Sequence, residues 1–173
     1  WRVMPPSTTS AAFVPSRRSW GRLASGQARL ACDNGDMAEQ LSPEVYSAVL
    51  IDHFQNPRNA GAMEDADAEA FVSNPVCGDS LRLFLKFDPA HPDRIQRASF
   101  LSSGCPASIA TSSAATEMVV GKTGAEAAAL SRDDYAAAVG GLPKAKIHCS
   151  VLAASAVTQA VEAYEAKTAR AAG

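Results

Sequence analysis

A thiol and a carboxylate stand two residues apart in the stretch Asn74-Pro-Val-Cys-Gly-Asp79, directly before an apolar run. In extended backbone, residues i and i+2 point to the same side, so Cys77 and Asp79 can reach one metal centre together. Gly78 removes the side chain between them and permits an unusual backbone angle. Alone, this pattern is weak evidence for metal binding, because a buried cysteine beside a turn aspartate is common.

Two further cysteines stand where helices are predicted to begin. Cys105 lies between Gly104 and Pro106, where the free amides and dipole of a helix start favour the thiolate, the form that binds metal or attacks sulfur. His148 and Cys149 offer an adjacent imidazole and thiolate at the start of the last predicted helix. Either group alone could be an ordinary packed helix start.

Together these residues indicate metal or sulfur chemistry, but their spacing is compatible with more than one kind of site. Three thiolates with a carboxylate or imidazole can complete a four-coordinate zinc site. They can equally hold an iron–sulfur cluster with one weaker ligand, or supply a Cys/His nucleophile. The sequence has no Cys-x-x-Cys pair, which disfavours a zinc ribbon. Cys32 lies near the N-terminus, and the three remaining cysteines are an odd number, which argues against a disulfide framework.

The composition narrows the class of protein. The chain has 173 residues, of which 47% are hydrophobic, so it can bury a core as one domain. It has no run of about 18 apolar residues, so we expect no membrane span. The net charge of −2 gives no indication of nucleic-acid binding.

The N-terminal segment differs from the rest. Residues 1–31 contain five arginines and no acidic residue, a composition typical of a mitochondrial transit segment. The alternative is upstream sequence ahead of a native start at Met37. We predict that residues 1–36 form a disordered leader, because they lack apolar periodicity, and that residues 37–173 form the domain. The expected location is the bacterial cytoplasm, or the mitochondrial matrix if the leader is a transit peptide.

The elements that must position the cysteines begin with a helix and a small sheet. Ser42, Pro43 and Glu44 predict a helix start, and the helix should end near Asn56-Pro57. Four residues recur in it at helical spacing: Val45, Val49, Leu50 and His53. Alternation over residues 81–87 predicts a half-buried strand. Residues 94–103 predict a second strand, joined to it in a hairpin by the turn-rich link 88–93, and residues 71–73 could add a short third strand.

Helices fill the remainder of the domain. Residues 106–120 predict a closely packed helix that Gly121 stops, and caps at Thr123 and Ser131 predict two short helices. Residues 142–146 read as an extended linker before a long helix over 148–167. Its predicted inward residues are Val151, Leu152, Ala156, Val157, Ala160, Val161 and Tyr164. The order predicts an α+β fold, with an antiparallel sheet of about three strands and helices on one face.

Four segments closely resemble the IscU/NifU-type iron–sulfur cluster assembly scaffolds. The segments are Tyr46 with Ile51-Asp-His-Phe-Gln-Asn-Pro-Arg-Asn-Ala-Gly61, Asn74-Pro-Val-Cys-Gly-Asp79, Ser103-Gly-Cys-Pro-Ala-Ser-Ile-Ala110, and Lys146-Ile-His-Cys-Ser-Val-Leu-Ala153. They occur in the order that the family has, and the match runs over residues 43–164.

The resemblance implies a scaffold and not a catalyst. In that family a cysteine desulfurase delivers persulfide sulfur, iron binds, and a transient [2Fe–2S] cluster forms and passes to apo iron–sulfur proteins. By position, Cys77, Cys105 and Cys149 would be thiolate ligands, Asp79 the carboxylate that keeps the site labile, and His148 an alternative ligand. Cys149 would also be the main persulfide acceptor. Zinc is an alternative metal in the resting protein, and ferredoxin, a frataxin-like protein and Hsp70/J-protein chaperones are further implied partners.

The sequence departs from the family in two places. The Hsp70-docking motif Leu-Pro-Pro-Val-Lys corresponds here to Leu142-Pro-Lys-Ala-Lys146, so the chaperone motif is degenerate. Pro-Ala-Ser follows Cys105 where the best-known members have Gly-Ser-Ala.

A sister group, the SufU-type zinc-dependent sulfurtransferases, is the alternative reading. Those proteins carry an insertion before the third cysteine and lack the histidine beside it. Here Cys149 follows Cys105 by 44 positions, which leaves no room for the insertion, and His148 is present. Both features favour the scaffold.

Overall fold

The computed structural model describes residues 42–75 and 77–171. Its elements are helix α1 (Ala48–Gln55), strands β1 (Ala68–Ser73), β2 (Ser80–Asp88) and β3 (His91–Ser103), helices α2 (Pro106–Val119), α3 (Gly124–Ala128) and α4 (Arg132–Ala138), a 3₁₀ turn (Lys144–Lys146) and helix α5 (Ile147–Ala171). The predicted leader over residues 1–36 lies outside the described residues and stays a prediction.

The sheet has the order β1-β2-β3, and both strand pairs are antiparallel. Its register aligns Ser73, Ser80 and Ser103 in one row across the three strands. Ser73 and Ser80 flank the loop that carries Cys77, and Ser103 leads directly to Cys105. The register therefore brings two of the three cysteine segments to the same end of the sheet.

The main core lies between one face of the sheet and the helices. Leu81, Leu83, Leu85 and Phe87 of β2 are buried there together with residues of α2 and α5. Alanines dominate the facing side of α5, which lets that helix approach the sheet closely. The predicted α+β fold, with its three-stranded antiparallel sheet, is confirmed. Phe84, on the opposite face of β2, is also buried, so the predicted half-buried alternation is wrong at that position.

Helix α1 begins later than predicted. The side chain of Ser47 accepts a hydrogen bond from the amide of Leu50 at 3.0 Å and caps the helix. Residues 43–45 instead form a turn, and the amides of Val45 and Tyr46 donate to the Ser42 carbonyl. The predicted start at Ser42 is wrong because Ser47 supplies the competing cap. Val45 and Val49 are exposed, whereas Leu50 and His53 are buried.

Other boundaries also differ from the prediction. Strand β3 begins at His91, because the Asp88 carboxylate accepts the amide of Ala90 at 2.9 Å and tightens the predicted link into a short turn. The predicted linker 142–146 contains a 3₁₀ turn, and α5 continues to Ala171. Val151 is 40% exposed and does not point inward.

A buried histidine joins α1 to α2. His53 Nδ1 lies 2.9 Å from Ser113 Oγ, which also accepts the amide of Arg58 at 2.8 Å. Because the Ser113 oxygen accepts that amide, its own hydrogen can be donated to Nδ1 of a neutral imidazole. His53 Nε2 faces the Glu117 carboxylate at 3.8 Å. The pKa of His53 is lowered from its ordinary value, chiefly by burial and also by Arg58, although Glu117 and Asp52 oppose the shift.

We predict that acid destabilises the domain through His53. The folded-state pKa is depressed, so the stability that neutral His53 contributes is complete above the unfolded-state pKa and is lost as the pH falls through the folded-state pKa. Urea unfolding at about pH 8 and about pH 5 should show a larger loss of stability in the wild type than in His53→Gln. The exposed His91→Gln variant is the control and should behave as the wild type. Equal pH dependence in all three proteins would contradict the assignment.

Candidate metal centre

The loop between β1 and β2 is a tight turn that separates Cys77 from Asp79. The amide of Asn74 donates to the Asp79 carbonyl and the amide of Gly78 donates to the Asn74 carbonyl, each at 2.8 Å. Gly78 has φ of 75°, in the left-handed region that glycine adopts at little cost. The turn leaves Cys77 exposed at the rim and buries Asp79, which is 4% exposed.

Asp79 joins the three segments that carry the cysteines. Its Oδ1 accepts the amide of Cys105 at 3.2 Å, and its Oδ2 lies 3.7 Å from the Cys149 sulfur. This approach requires glycine at position 104, because a Cβ there would lie 2.6 Å from Asp79 Oδ1. The carboxylate therefore occupies the space that any other side chain at position 104 would fill.

Cys105 and Cys149 form a close thiol pair. Cys105 caps the N-terminus of α2 ahead of Pro106, and Cys149 lies in the first turn of α5. Their sulfur atoms are 3.5 Å apart. Cys149 is only 1% exposed and packs in a second apolar cluster with Tyr46 and Leu50, whereas Cys105 is half-buried at its edge.

The donors form two overlapping groups that share Asp79. Asp79, Cys105 and Cys149 offer ligand atoms within 4.8 Å of one another, and so do Cys77, Asp79 and His148. All five predicted site residues therefore lie at one end of the sheet. The Nε2 atom of His148 is buried and has no hydrogen-bond partner among the described residues, which is costly for a polar atom. Thiolates with an imidazole and a carboxylate suit zinc and iron alike, so the donor set fits a soft or borderline metal.

The two thiols of the pair have pKa values shifted in opposite directions. The pKa of Cys105 is lowered to about 7, first because the Cys149 thiol donates to its sulfur, and then because the amide of Ser108 and the charge of Lys146 assist; burial and Asp79 oppose this. The pKa of Cys149 is raised, because its proton is held against Cys105 and because it is buried beside Asp79. Of the two thiols, Cys105 is therefore the one that ionises first as the pH rises.

Three residues around the centre had no assigned role in the sequence analysis. Gly104 makes room for Asp79, and Lys146 in the 3₁₀ turn lowers the pKa of both thiols. Tyr46 is buried in the same cluster as Cys149, and burial raises its pKa. All three residues lie within the segments that resemble the scaffold family, which is the sequence signal that could have identified them.

Fold and centre together define an α+β protein with a mixed thiolate, carboxylate and imidazole donor set. Residues 45–171 match the family described as the NifU-like N terminal domain, so the chain belongs to that family. The resemblance stated from the sequence motifs is confirmed.

Two similar relatives are named as iron–sulfur cluster assembly scaffold proteins. Scaffold protein IscU 1 of Archaeoglobus fulgidus is 52% identical over 120 residues, covering 69% of this chain and 76% of the relative. IscU of Escherichia coli is 40% identical over 126 residues, covering 71% of this chain and 96% of the relative.

A solved structure shares the fold. A protein from Fervidobacterium islandicum, described as a candidate cluster assembly scaffold of the SUF system, has a TM-score of 0.56 and covers 69% of this chain and 98% of its own. At 23% identity this likeness supports the fold alone. Within the part of the chain that the structure describes, no helix combines the length and apolar character that crossing a membrane requires.

We predict that Cys105 is alkylated in the metal-free protein with a pH midpoint near its pKa of about 7. Cys149→Ala removes the sulfhydryl donor that most lowers this pKa, so the midpoint should rise toward the ordinary value of 9.0. Iodoacetamide labelling with mass spectrometry of the Cys105 peptide measures the midpoint. Cys77→Ala is the control and should leave it unchanged. An unshifted midpoint in Cys149→Ala would show that the thiol pair is not coupled in solution.

Proposed function

We propose that this chain is a scaffold on which a [2Fe–2S] cluster is assembled from iron and desulfurase-derived sulfur and then passed to apo-proteins. The observation that carries the proposal is the convergence of three thiols and one imidazole around the buried carboxylate of Asp79. The names of the relatives support the assembly role. The cluster is cargo in this reading, and Cys77, Asp79, Cys105, His148 and Cys149 are its proposed ligands.

The mixed donor set suits transfer better than permanent binding. A permanent cluster usually has four thiolate ligands. Here Asp79 and His148 compete for the fourth position, and each is a weaker ligand than a thiolate for iron in a cluster. Cys77 is exposed on a glycine turn, so its ligation can be exchanged from the surface. The remaining thiols are fixed on helix starts, which keeps half of the site in place during exchange.

We propose that Cys149 receives sulfur by exchange with the persulfide of the desulfurase. The Cys149 sulfur attacks the terminal sulfur of the desulfurase persulfide, and its proton passes to water as the side chain leaves the contacts with Cys105 and Asp79 that raise its pKa. A new sulfur–sulfur bond forms on Cys149 while the donor's bond breaks and the desulfurase cysteine leaves as a thiolate. Because Cys149 is buried, its side chain must turn outward for this step. Conversion of the sulfane sulfur to sulfide then takes two electrons, which we assign to a ferredoxin.

The proposal also includes partner proteins and a cellular location. A cysteine desulfurase and apo iron–sulfur proteins are required by the proposed cycle. A frataxin-like protein and Hsp70/J-protein chaperones are further proposed partners, and the Hsp70-docking motif at 142–146 is degenerate. The proposed location is the bacterial cytoplasm, with the mitochondrial matrix as the alternative if residues 1–36 are a transit peptide.

Anaerobic reconstitution of the full chain tests the proposal. With ferrous iron, cysteine and a cysteine desulfurase, we expect a visible cluster chromophore with equal iron and sulfide, which is lost when an apo-ferredoxin is added. Cys149→Ser should give little chromophore, because one thiolate ligand and the sulfur acceptor are removed. Cys32→Ser, outside the domain, is the matched control and should behave as the wild type. Tight zinc and persulfide on Cys149 without a chromophore would instead establish the zinc-dependent sulfurtransferase.

We predict that Asp79→Ala lengthens the lifetime of the reconstituted cluster. Removing the weak carboxylate ligand should close the route by which the cluster exchanges, so transfer to apo-ferredoxin should slow severalfold. The decay of the chromophore measures the lifetime, and Asp133→Ala, an acid that is 81% exposed, serves as the control. Faster cluster loss in Asp79→Ala would contradict this role for the carboxylate.

A further inference from the structure

Two of the three thiols at the candidate centre are already in contact with each other. The sulfur atoms of Cys105 and Cys149 are 3.5 Å apart, which leaves no space for another atom between them. A disulfide bond is about 2.05 Å long, so the two sulfurs need to approach by about 1.5 Å to be joined. Cys105 precedes α2 and Cys149 lies in the first turn of α5, so this adjustment falls on two helix ends and not on the middle of a packed helix.

The third thiol, Cys77, is placed differently. It shares a group of neighbouring donor atoms with Asp79 and His148, whereas Cys105 and Cys149 share their group with Asp79. No such donor group among the described residues contains Cys77 together with another thiol. Cys77 also lies exposed on the glycine turn between β1 and β2. The geometry therefore favours one particular pair of thiols, Cys105 with Cys149, for the formation of a bond between sulfurs.

The two thiols of this pair differ in their access to small reagents. Cys149 is 1% exposed and packs in an apolar cluster with Tyr46 and Leu50, whereas Cys105 is half-buried at the edge of that cluster. Oxidation of a cysteine by a peroxide requires contact between the sulfur and the oxidant, so exposure decides which thiol reacts first. A peroxide therefore reaches Cys105 before Cys149, and Cys149 is the adjacent thiol that can complete a disulfide.

We propose that hydrogen peroxide converts Cys105 and Cys149 of the metal-free protein into a reversible disulfide, which closes the candidate centre to metal. The Cys105 sulfur attacks one oxygen of the peroxide, the oxygen–oxygen bond breaks, and the products are a sulfenic acid on Cys105 and one water. The Cys149 sulfur then attacks the Cys105 sulfur, the sulfur–oxygen bond breaks, and hydroxide leaves with the Cys149 proton as a second water. Two electrons from the two thiols thus reduce one peroxide to two waters.

The disulfide changes what the centre can bind. It removes both thiol donors from the group of Asp79, Cys105 and Cys149, and it leaves the group of Cys77, Asp79 and His148, which has a single thiol. A metal ion bound to the pair uses the same sulfur electron pairs that attack peroxide, so a loaded centre resists this oxidation. The inference concerns regulation of the centre and does not depend on its cargo. Its tests involve no cluster, so their failure is distinguishable from failure of the proposed function.

Zinc tests whether the disulfide closes the centre. One equivalent of Zn²⁺ added before hydrogen peroxide should slow disulfide formation about tenfold, because the metal engages the thiols. The oxidised protein should bind Zn²⁺ at least about tenfold more weakly than the reduced protein, since two thiolate ligands are lost. Reduction with dithiothreitol should restore the affinity. Lack of protection by Zn²⁺, or unchanged affinity after oxidation, would contradict closure of the centre, and affinity that dithiothreitol does not restore would contradict a reversible switch.

Single variants test the order of the two oxidation steps. In Cys149→Ser, the sulfenic acid on Cys105 has lost its adjacent thiol and should accumulate, where dimedone traps it for mass spectrometry. In Cys105→Ser, the enclosed Cys149 should be trapped about tenfold more slowly. Cys77→Ser is the matched control and should form the disulfide at the wild-type rate. Equal trapping of Cys105 and Cys149 in the two variants would contradict the argument from access.

Peptide mapping of the metal-free full chain tests the pairing itself. Trypsin places the three thiols in separate peptides, residues 59–82, 98–122 and 147–167, and a Cys32→Ser background removes the remaining cysteine. After treatment with hydrogen peroxide and alkylation of the free thiols, we expect peptides 98–122 and 147–167 to be joined, in a proportion that does not depend on protein concentration. Cys77 should be recovered alkylated. A dominant bond to Cys77, or no bond between the two expected peptides, would overturn the proposal.

Discussion

The geometry of the candidate centre depends on the buried carboxylate of Asp79. A carboxylate is costly to remove from water unless polar partners meet it. Asp79 accepts a hydrogen bond from the amide of Cys105 and lies 3.7 Å from the sulfur of Cys149, and these two residues belong to the starts of two different helices. Its position on the β1–β2 loop thus ties that loop to α2 and α5. The same contacts demand a glycine at position 104, so one residue without a side chain permits the whole junction.

Helix α2 can lie at the centre of this junction because several of its buried hydroxyls bond to its own backbone. Residues 106–108 and 110–116 are all buried, although many are serine or threonine. The hydroxyls of Thr111, Ser112 and Thr116 donate to carbonyls of the preceding turn of the same helix. These bonds lower the cost of burying those three hydroxyls. Small side chains then allow α1, β3 and α5 to approach α2 closely, which is how Cys149 comes within reach of Cys105.

Sequence patterns predicted most of the elements because local rules govern them. The capping boxes at Thr123 and Ser131 both form as the pattern indicates, and alternation located β2. The errors arise where tertiary contacts decide: Ser47 displaces Ser42 as a cap, and Phe84 is covered on a face that alternation assigns to solvent. For the centre, motif order predicted which residues would converge, but their unequal burial depends on packing. No sequence signal reveals that Cys77 is exposed while Cys149 is enclosed.

Proton and metal compete at the thiol pair, and this competition links the geometry to the proposed cycle. Metal binding to thiolates releases protons, so loading the centre must displace protons from Cys105 and Cys149. The pKa of Cys105 is lowered to about 7, whereas that of Cys149 is raised by its hydrogen bond with Cys105, by burial and by Asp79. Cys149 is therefore the thiol whose ligation costs most, and the one that regains a proton first when metal leaves. We propose that a centre with one buried thiolate ligand that readily regains its proton, beside a weak carboxylate ligand, can accept a cluster and still release it.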